Sequence, residues 1–67
     1  MTATTDTLIR MANQIAANLG HEEDPAAATA EHIRLYWDPR MKRAIAAFRG
    51  DGLTPVAMEA IRRLEGA

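Results

Sequence analysis

The sequence predicts an all-α protein, a compact single domain of four short helices, and three observations support this class. Apolar residues recur three and four positions apart, which is the spacing of one face of an α-helix. An aspartate or threonine precedes proline at Asp24-Pro25, Asp38-Pro39 and Thr54-Pro55, and this pair is typical of helix starts. No segment alternates apolar and polar residues convincingly over five positions, so no strand is expected. We place the helices at about 5–19, 25–37, 39–49 and 54–65.

The first predicted helix has a single apolar stripe. Thr5 or Asp6 can cap its start, and Gly20 is placed to supply the left-handed residue that often follows a last helical turn. Asn13 and Gln14 lie off the stripe and are expected to face solvent or a partner. The stripe itself consists of Leu8, Met11, Ala12, Ile15, Ala16 and Leu19.

The second predicted helix ends at a corner formed by Trp37, Asp38 and Pro39. Proline disfavours helical geometry in the residue before it, while an aspartate before proline caps a following helix, so one dipeptide ends one helix and starts the next. Trp37 is the only tryptophan and is expected to be a packing hub. Leu35 and Tyr36 fall beside the apolar stripe, which makes this end apolar over an arc wider than one neighbour covers. The stripe consists of Ala26, Ala30, Ile33 and Trp37.

The last two predicted helices complete the core. A flexible turn is expected at residues 50–52, and Leu53 and Met58 occupy the N′ and N4 positions of a hydrophobic staple around the cap of the fourth helix. The expected core therefore draws on all four helices. It comprises Leu8, Met11, Ile15, Ile33, Trp37, Met41, Ile45, Phe48, Ile61 and Leu64.

Length and composition limit the class of protein. We expect one domain over residues 1–67, with residues 1–4 as a flexible tail. A chain this short buries only about 60% of the surface that its unfolded form exposes, so a partner is the expected source of extra stability. Cysteine is absent, which excludes disulfides and thiolate metal sites. No apolar run approaches the roughly 20 residues of a membrane span, and no signal peptide is evident, so a cytoplasmic location is expected.

The sequence offers no catalytic constellation. His21 lies in an acidic loop and is interpreted as an exposed residue, and His32 is interpreted as a hydrogen-bonded surface group one turn before Tyr36. The acids Glu22 and Glu23 are expected to favour the positive end of the second helix. We therefore expect no catalytic residues, no metal site and no cofactor bound by this chain.

The charge distribution suggests a surface for a partner. The net charge is −1, but residues 1–31 hold one basic and five acidic residues, whereas residues 32–67 hold seven basic and four acidic residues. Three interpretations fit the basic residues that follow the corner: a solvated helix face, a protein-docking surface, or a third helix that binds nucleic acid. Aromatic residues and arginine are enriched at interface hot spots, which favours protein docking over nucleic acid. The candidate partner-binding residues are Asn13, Gln14, Leu35, Tyr36, Trp37, Arg40 and Arg43.

Two strings carry a resemblance to a known family. The sequence Met-Ala-Asn-Gln-Ile-Ala at 11–16, and His-Ile-Arg followed by Trp-Asp-Pro-Arg-Met at 32–41, resemble the delta subunit of the NAD-dependent, molybdenum- or tungsten-containing formate dehydrogenases. Leu-Thr-Pro at 53–55 resembles the end of that family, so the similarity covers most of residues 7–65.

The resemblance implies a non-catalytic accessory subunit of a large cytoplasmic oxidoreductase. It implies that the partner is the set of large formate dehydrogenase subunits, above all the catalytic alpha subunit, and that this chain aids assembly or stability of the holoenzyme. The cofactors implied for the partner complex are molybdopterin-guanine dinucleotide, iron-sulfur clusters, FMN and NAD. The residues alone also leave an alternative open, namely a small helical nucleic-acid-binding regulator that uses the basic third helix.

Overall fold

A computed structural model describes residues 4–48 and 51–66, and within them the chain forms four α-helices and no strand. They are α1 (Thr5–Asn18), α2 (Pro25–Tyr36), α3 (Pro39–Ala47) and α4 (Pro55–Gly66). The predicted fold class is confirmed, and the bounds differ from the prediction by one or two residues. The flexible tail predicted for residues 1–4 falls mostly outside the described residues, as do position 49 of the third predicted helix and position 50 of the following turn.

Each helix begins with a side-chain oxygen that accepts a backbone N–H three residues later. Asp24 accepts from Ala27 at 3.2 Å, Asp38 from Met41 at 3.0 Å, and Thr54 from Ala57 at 3.3 Å, with proline at the first helical position each time. These three caps are as predicted. The first helix is capped by Thr4, which accepts from the Thr7 N–H at 3.2 Å, so the expectation of Thr5 or Asp6 was wrong.

Two predicted helix ends need correction. Among the described residues a positive φ occurs only at Gly52, so Gly20 is not left-handed. The last turn of α1 closes instead through Leu19, whose N–H donates to the Ile15 carbonyl at 3.0 Å. The third helix ends at Ala47 and not at 49, because Phe48 adopts an extended backbone with φ −69° and ψ 132°.

The core draws on all four helices and is rich in small residues. Of the ten side chains predicted for it, five are buried, four are partly buried against the buried ones, and Phe48 is partly buried at the end of α3. The most extensive helix contact joins α2 to α4, whose buried faces contain Ala26, Thr29, Ala57 and Ala60. Small side chains let two helix backbones approach closely, so this contact depends on the alanines that sequence analysis gave little weight.

Helix α1 contacts each of the other three helices, and α3 contacts α1 and α4. The α3–α4 connection is held by Asn13 of α1. Its side-chain N–H donates to the Gly52 carbonyl at 2.7 Å, and its carbonyl oxygen accepts the Thr54 N–H at 2.9 Å. Gly52 has φ +120°, a conformation that favours glycine. None of the described helices has the length and apolar character needed to cross a membrane.

Candidate functional site at the α2–α3 corner

At the corner between α2 and α3, one helix ends and the next begins within adjacent residues. Trp37 leaves the helix with φ −87° and ψ 143°, although its N–H still donates to the Ile33 carbonyl at 3.0 Å. Asp38 then caps α3, which begins at Pro39. The Trp37 side chain is only 5% exposed and belongs to the main core cluster, so its predicted role as a packing hub is confirmed.

A second contact joins the two helices. The Lys42 ammonium donates to the Arg34 carbonyl at 3.3 Å. Carbonyls in the last turn of a helix have no partner within the helix, so a lysine from α3 satisfies one that α2 leaves open. The Arg34 side chain is held in turn by Glu31, with contacts of 2.6 and 3.1 Å, and this carboxylate raises the pKa of Arg34 further above its usual value.

An open apolar groove of about 400 Å³ lies beside the corner, and we call it the corner groove. Tyr36 forms part of its rim and is 73% exposed, and its ring lies 4.7 Å from the His32 ring at a 45° tilt. Helices α1, α2 and α3 all contribute to its walls. The lining residues are Met11, Gln14, Ile15, His32, Tyr36, Trp37 and Met41.

A basic depression of about 350 Å³ lies at the start of α3, and we call it the basic edge. It is lined by Asp38, Pro39, Arg40 and Arg43. Both arginines are exposed, and neither has an ion-pair partner within residues 4–48 and 51–66. The corner therefore presents an apolar groove and, at the start of α3, two positive charges that the described part of the chain leaves unneutralised.

The structure brings most of the predicted partner-binding residues to this corner. Gln14, Tyr36 and Trp37 line the corner groove, and Arg40 and Arg43 line the basic edge. Two predicted residues are placed differently: Leu35 is 58% exposed beside the groove without lining it, and Asn13 uses its amide on the α3–α4 connection.

Sequence reasoning missed four groove residues, namely Met11, Ile15, His32 and Met41. Three of them were assigned to the core, and the structure shows each partly buried, so one side packs inward and the other remains open. The signal available in the sequence was the wide apolar arc at the end of α2, which one neighbouring helix cannot cover.

Groups with other chemistry lie elsewhere. The imidazole of His21 is 3.2 Å from the Glu22 carboxylate in an exposed loop. No group of three or more metal-ligating side chains occurs within the described part of the chain. Arg63 of α4 contacts the Asp24 carboxylate at 2.8 Å, and this contact, with the Ala27 N–H, lowers the pKa of Asp24 below its usual 3.8. These groups serve as caps and surface ion pairs.

Comparison with known families gives one match. The family model for the NADH-dependent formate dehydrogenase delta subunit FdsD matches residues 7–61 of the 67. The chain belongs to this delta-subunit family. No curated protein and no solved structure matches it. The resemblance found in the two sequence strings is thereby confirmed.

Family membership makes this chain an accessory subunit of an NAD-dependent formate dehydrogenase complex, with other subunits of that enzyme as its partners. The matched region contains every residue of the corner groove and of the basic edge. The matched region stops before Arg63, so one partner of the Arg63–Asp24 ion pair lies outside it.

Proposed function

We propose that this delta subunit binds the catalytic alpha subunit of the formate dehydrogenase through the α2–α3 corner and aids assembly or stability of the holoenzyme. The observation that carries the proposal is the exposed apolar groove within the region that the family model matches, together with two arginines at the start of α3 that have no ion-pair partner among the described residues. Tyr36, at 73% exposure, and Leu35, at 58%, are large apolar side chains left in contact with water. Burying them against a partner is favourable at about 25 cal/mol per Å² of apolar surface.

The proposal assigns chemistry to the partner and not to this chain. We propose that the delta subunit holds no cofactor and no catalytic residue, and that molybdopterin-guanine dinucleotide, iron-sulfur clusters, FMN and the NAD site belong to the large subunits. The proposed location is the cytoplasm, as that of the complex. Support comes from family membership and from the types of residue at the corner, which are those of a docking surface.

The test is native co-purification. A tagged copy expressed in its own host is captured gently, and the recovered large subunits are quantified together with bound molybdenum, tungsten and iron. We expect the unsubstituted chain to recover metal-containing large subunits. Recovery of the small chain alone under these conditions would argue strongly against the proposal.

Substitutions then locate the surface. Tyr36→Ala is expected to reduce recovery of the large subunits, because it removes an exposed ring from the groove rim and leaves the core intact. Met58→Ala is the matched control, since Met58 is also a large exposed apolar residue, at 47%, but lies on α4 outside the groove. Equal recovery with both variants would place the docking surface elsewhere.

A further inference from the structure

The lining of the corner groove contains one side chain that can change its charge near neutral pH, the imidazole of His32. His32 is partly buried in the wall of the groove, and its ring lies 4.7 Å from the Tyr36 ring. Among the described residues its side chain has neither an ion pair nor a hydrogen bond. Its ring nitrogens therefore depend on water for hydrogen bonds while the groove is open.

The other side chains that line the groove are uncharged at neutral pH. Helix α1 contributes Met11, Gln14 and Ile15, and α3 contributes Met41. The Tyr36 hydroxyl also stays neutral, because a tyrosine keeps its proton up to about pH 10. Helix α4 packs against α2 as well, but no residue of α4 lines the groove.

The charged residues around the groove offer little to stabilise an imidazolium. Six of them lie next to a lining residue along the chain or one helical turn from it, and four of the six are cations. The two acids already have partners, because Glu31 contacts Arg34 at 2.6 Å and Asp38 accepts the Met41 N–H at 3.0 Å. The four cations are Arg10 on α1, Arg34 on α2, and Arg40 and Lys42 on α3.

A partner that covers the groove removes water from the imidazole. A charged group that loses water without gaining a partner is disfavoured, so covering the groove favours the neutral form of His32. The proton that His32 carries in acid must then leave before the groove is filled. Because binding and proton loss are linked, the affinity for the partner falls as the pH falls.

We infer that docking at the corner groove depends on pH through His32, whose neutral imidazole permits docking and whose imidazolium opposes it. The inference rests on the proposed function, since it concerns the same surface and the same large-subunit partner. It adds regulation of that surface by pH and names the side chain responsible.

The expected size of the effect follows from the ordinary titration of histidine. A histidine gains its proton at about pH 6.5, so its neutral fraction is about 0.9 at pH 7.5 and about 0.1 at pH 5.5. Docking by the neutral form alone therefore lowers the apparent affinity about tenfold between these two pH values.

The experiment measures how much of the large subunits the tagged full-length chain recovers, as a function of its concentration, at about pH 5.5 and 7.5 and at constant ionic strength. His32→Gln cannot be protonated, so its affinity should vary by less than about twofold between the two pH values, whatever its absolute level. His32→Lys carries a positive charge throughout and should bind weakly at both. His21→Gln is the matched control, because His21 is the only other histidine, is exposed and lies in the loop before α2, outside the groove. It should keep the pH dependence of the unsubstituted chain.

Circular dichroism at both pH values checks that each variant is folded, and His32→Asn is measured beside His32→Gln as a second neutral variant. A pH dependence that persists in the neutral variants overturns the inference, because another group is then responsible. An unsubstituted chain whose affinity does not change with pH also overturns it. So does tighter binding in acid, which would mean that the partner offers a carboxylate to the imidazolium.

The remaining outcomes separate the inference from the proposed function. A His32→Lys variant that binds as tightly as His32→Gln at about pH 7.5 shows that the groove tolerates a positive charge, and it overturns the inference alone. Failure of the unsubstituted chain to recover any large subunit at either pH overturns the proposed function and this inference with it.

Discussion

Replacing Thr29 with valine is expected to stabilise the protein. Thr29 lies on the buried face of α2, the residue is 0% exposed, and its hydroxyl has no hydrogen-bond partner among the residues that the structure describes. A buried polar group without a partner costs about 1–3 kcal/mol, and valine has nearly the same shape without that group. Threonine and valine have similar helix propensities, so the substitution changes the free energy of helix formation very little. We expect a gain of about 1 kcal/mol in the free energy of unfolding, which in a domain this small raises Tm by roughly 4–8 °C.

The measurement is urea and thermal unfolding of the isolated chain, followed by circular dichroism and by the fluorescence of Trp37, the single tryptophan. Thr29→Ser keeps the unpaired hydroxyl, loses a buried methyl group and is expected to destabilise by about 1 kcal/mol. Thr5→Val is the exposed control and is expected to change stability by less than about 0.5 kcal/mol. A Thr29→Val variant that melts at or below the unsubstituted protein would refute the reasoning, because the hydroxyl would then contribute a favourable interaction.

Three further outcomes are expected. Asn13→Ala removes both hydrogen bonds to the α3–α4 connection, so it should lower the free energy of unfolding by about 1–3 kcal/mol and speed amide exchange at residues 51–54. Asn13→Asp keeps the acceptor and should lower it by less. Unchanged amide exchange in both variants would contradict the role assigned to Asn13. Trp37→Ala should cost about 3–5 kcal/mol, a large share of the roughly 3–10 kcal/mol available to a domain of this size, so an unchanged circular dichroism melt would show that the ring is not in the core. The pKa of Asp24 is lowered by Arg63 and by the Ala27 N–H, so the charge of Asp24 contributes stability above pH 3.8 that is lost as pH falls through the lowered pKa. The Asp24→Asn variant should therefore melt at a lower temperature than the unsubstituted protein at pH 7, and this difference should disappear in acid. A difference in melting temperature that does not depend on pH would disprove the linkage.

The helix starts were predictable because their physics is local. An aspartate or threonine before proline satisfies an N–H three residues later, and proline fixes the backbone angle of the first helical residue. All three such pairs start a helix in the structure. The miss at Thr4 has a local cause as well, since three threonines and an aspartate within residues 4–7 offer several caps and the choice depends on where the first turn packs.

The helix ends and the loops were less predictable because distant residues decide them. Gly20 fits the pattern of a left-handed cap, yet α1 closes through Leu19, and the conformation with positive φ falls at Gly52. Nothing in the sequence near Asn13 indicates that its side chain faces inward. Its partners are 39 and 41 residues further along the chain, and only the packing of α1 against the α3–α4 connection brings them within reach.

The same separation along the chain explains which part of the proposed docking surface could be predicted from the sequence. Tyr36, Arg40 and Arg43 are near the corner along the chain, so composition alone points to them. Met11 and Ile15 come from α1, and a periodic apolar residue in a sequence does not reveal whether a neighbouring helix covers all of it. Their partial burial is a property of the assembled domain.

Trp37 links the stability of the domain to its proposed docking surface. Its ring is almost fully buried in the core cluster, yet the same residue lines the corner groove. A partner bound in the groove would cover the small part of the ring that remains exposed and the side chains packed around it. Binding would then stabilise the folded chain by mass action, since the groove exists only when α1, α2 and α3 are assembled. If the proposed docking surface is correct, a small domain that binds its partner next to its own packing hub is most stable when it is part of the complex.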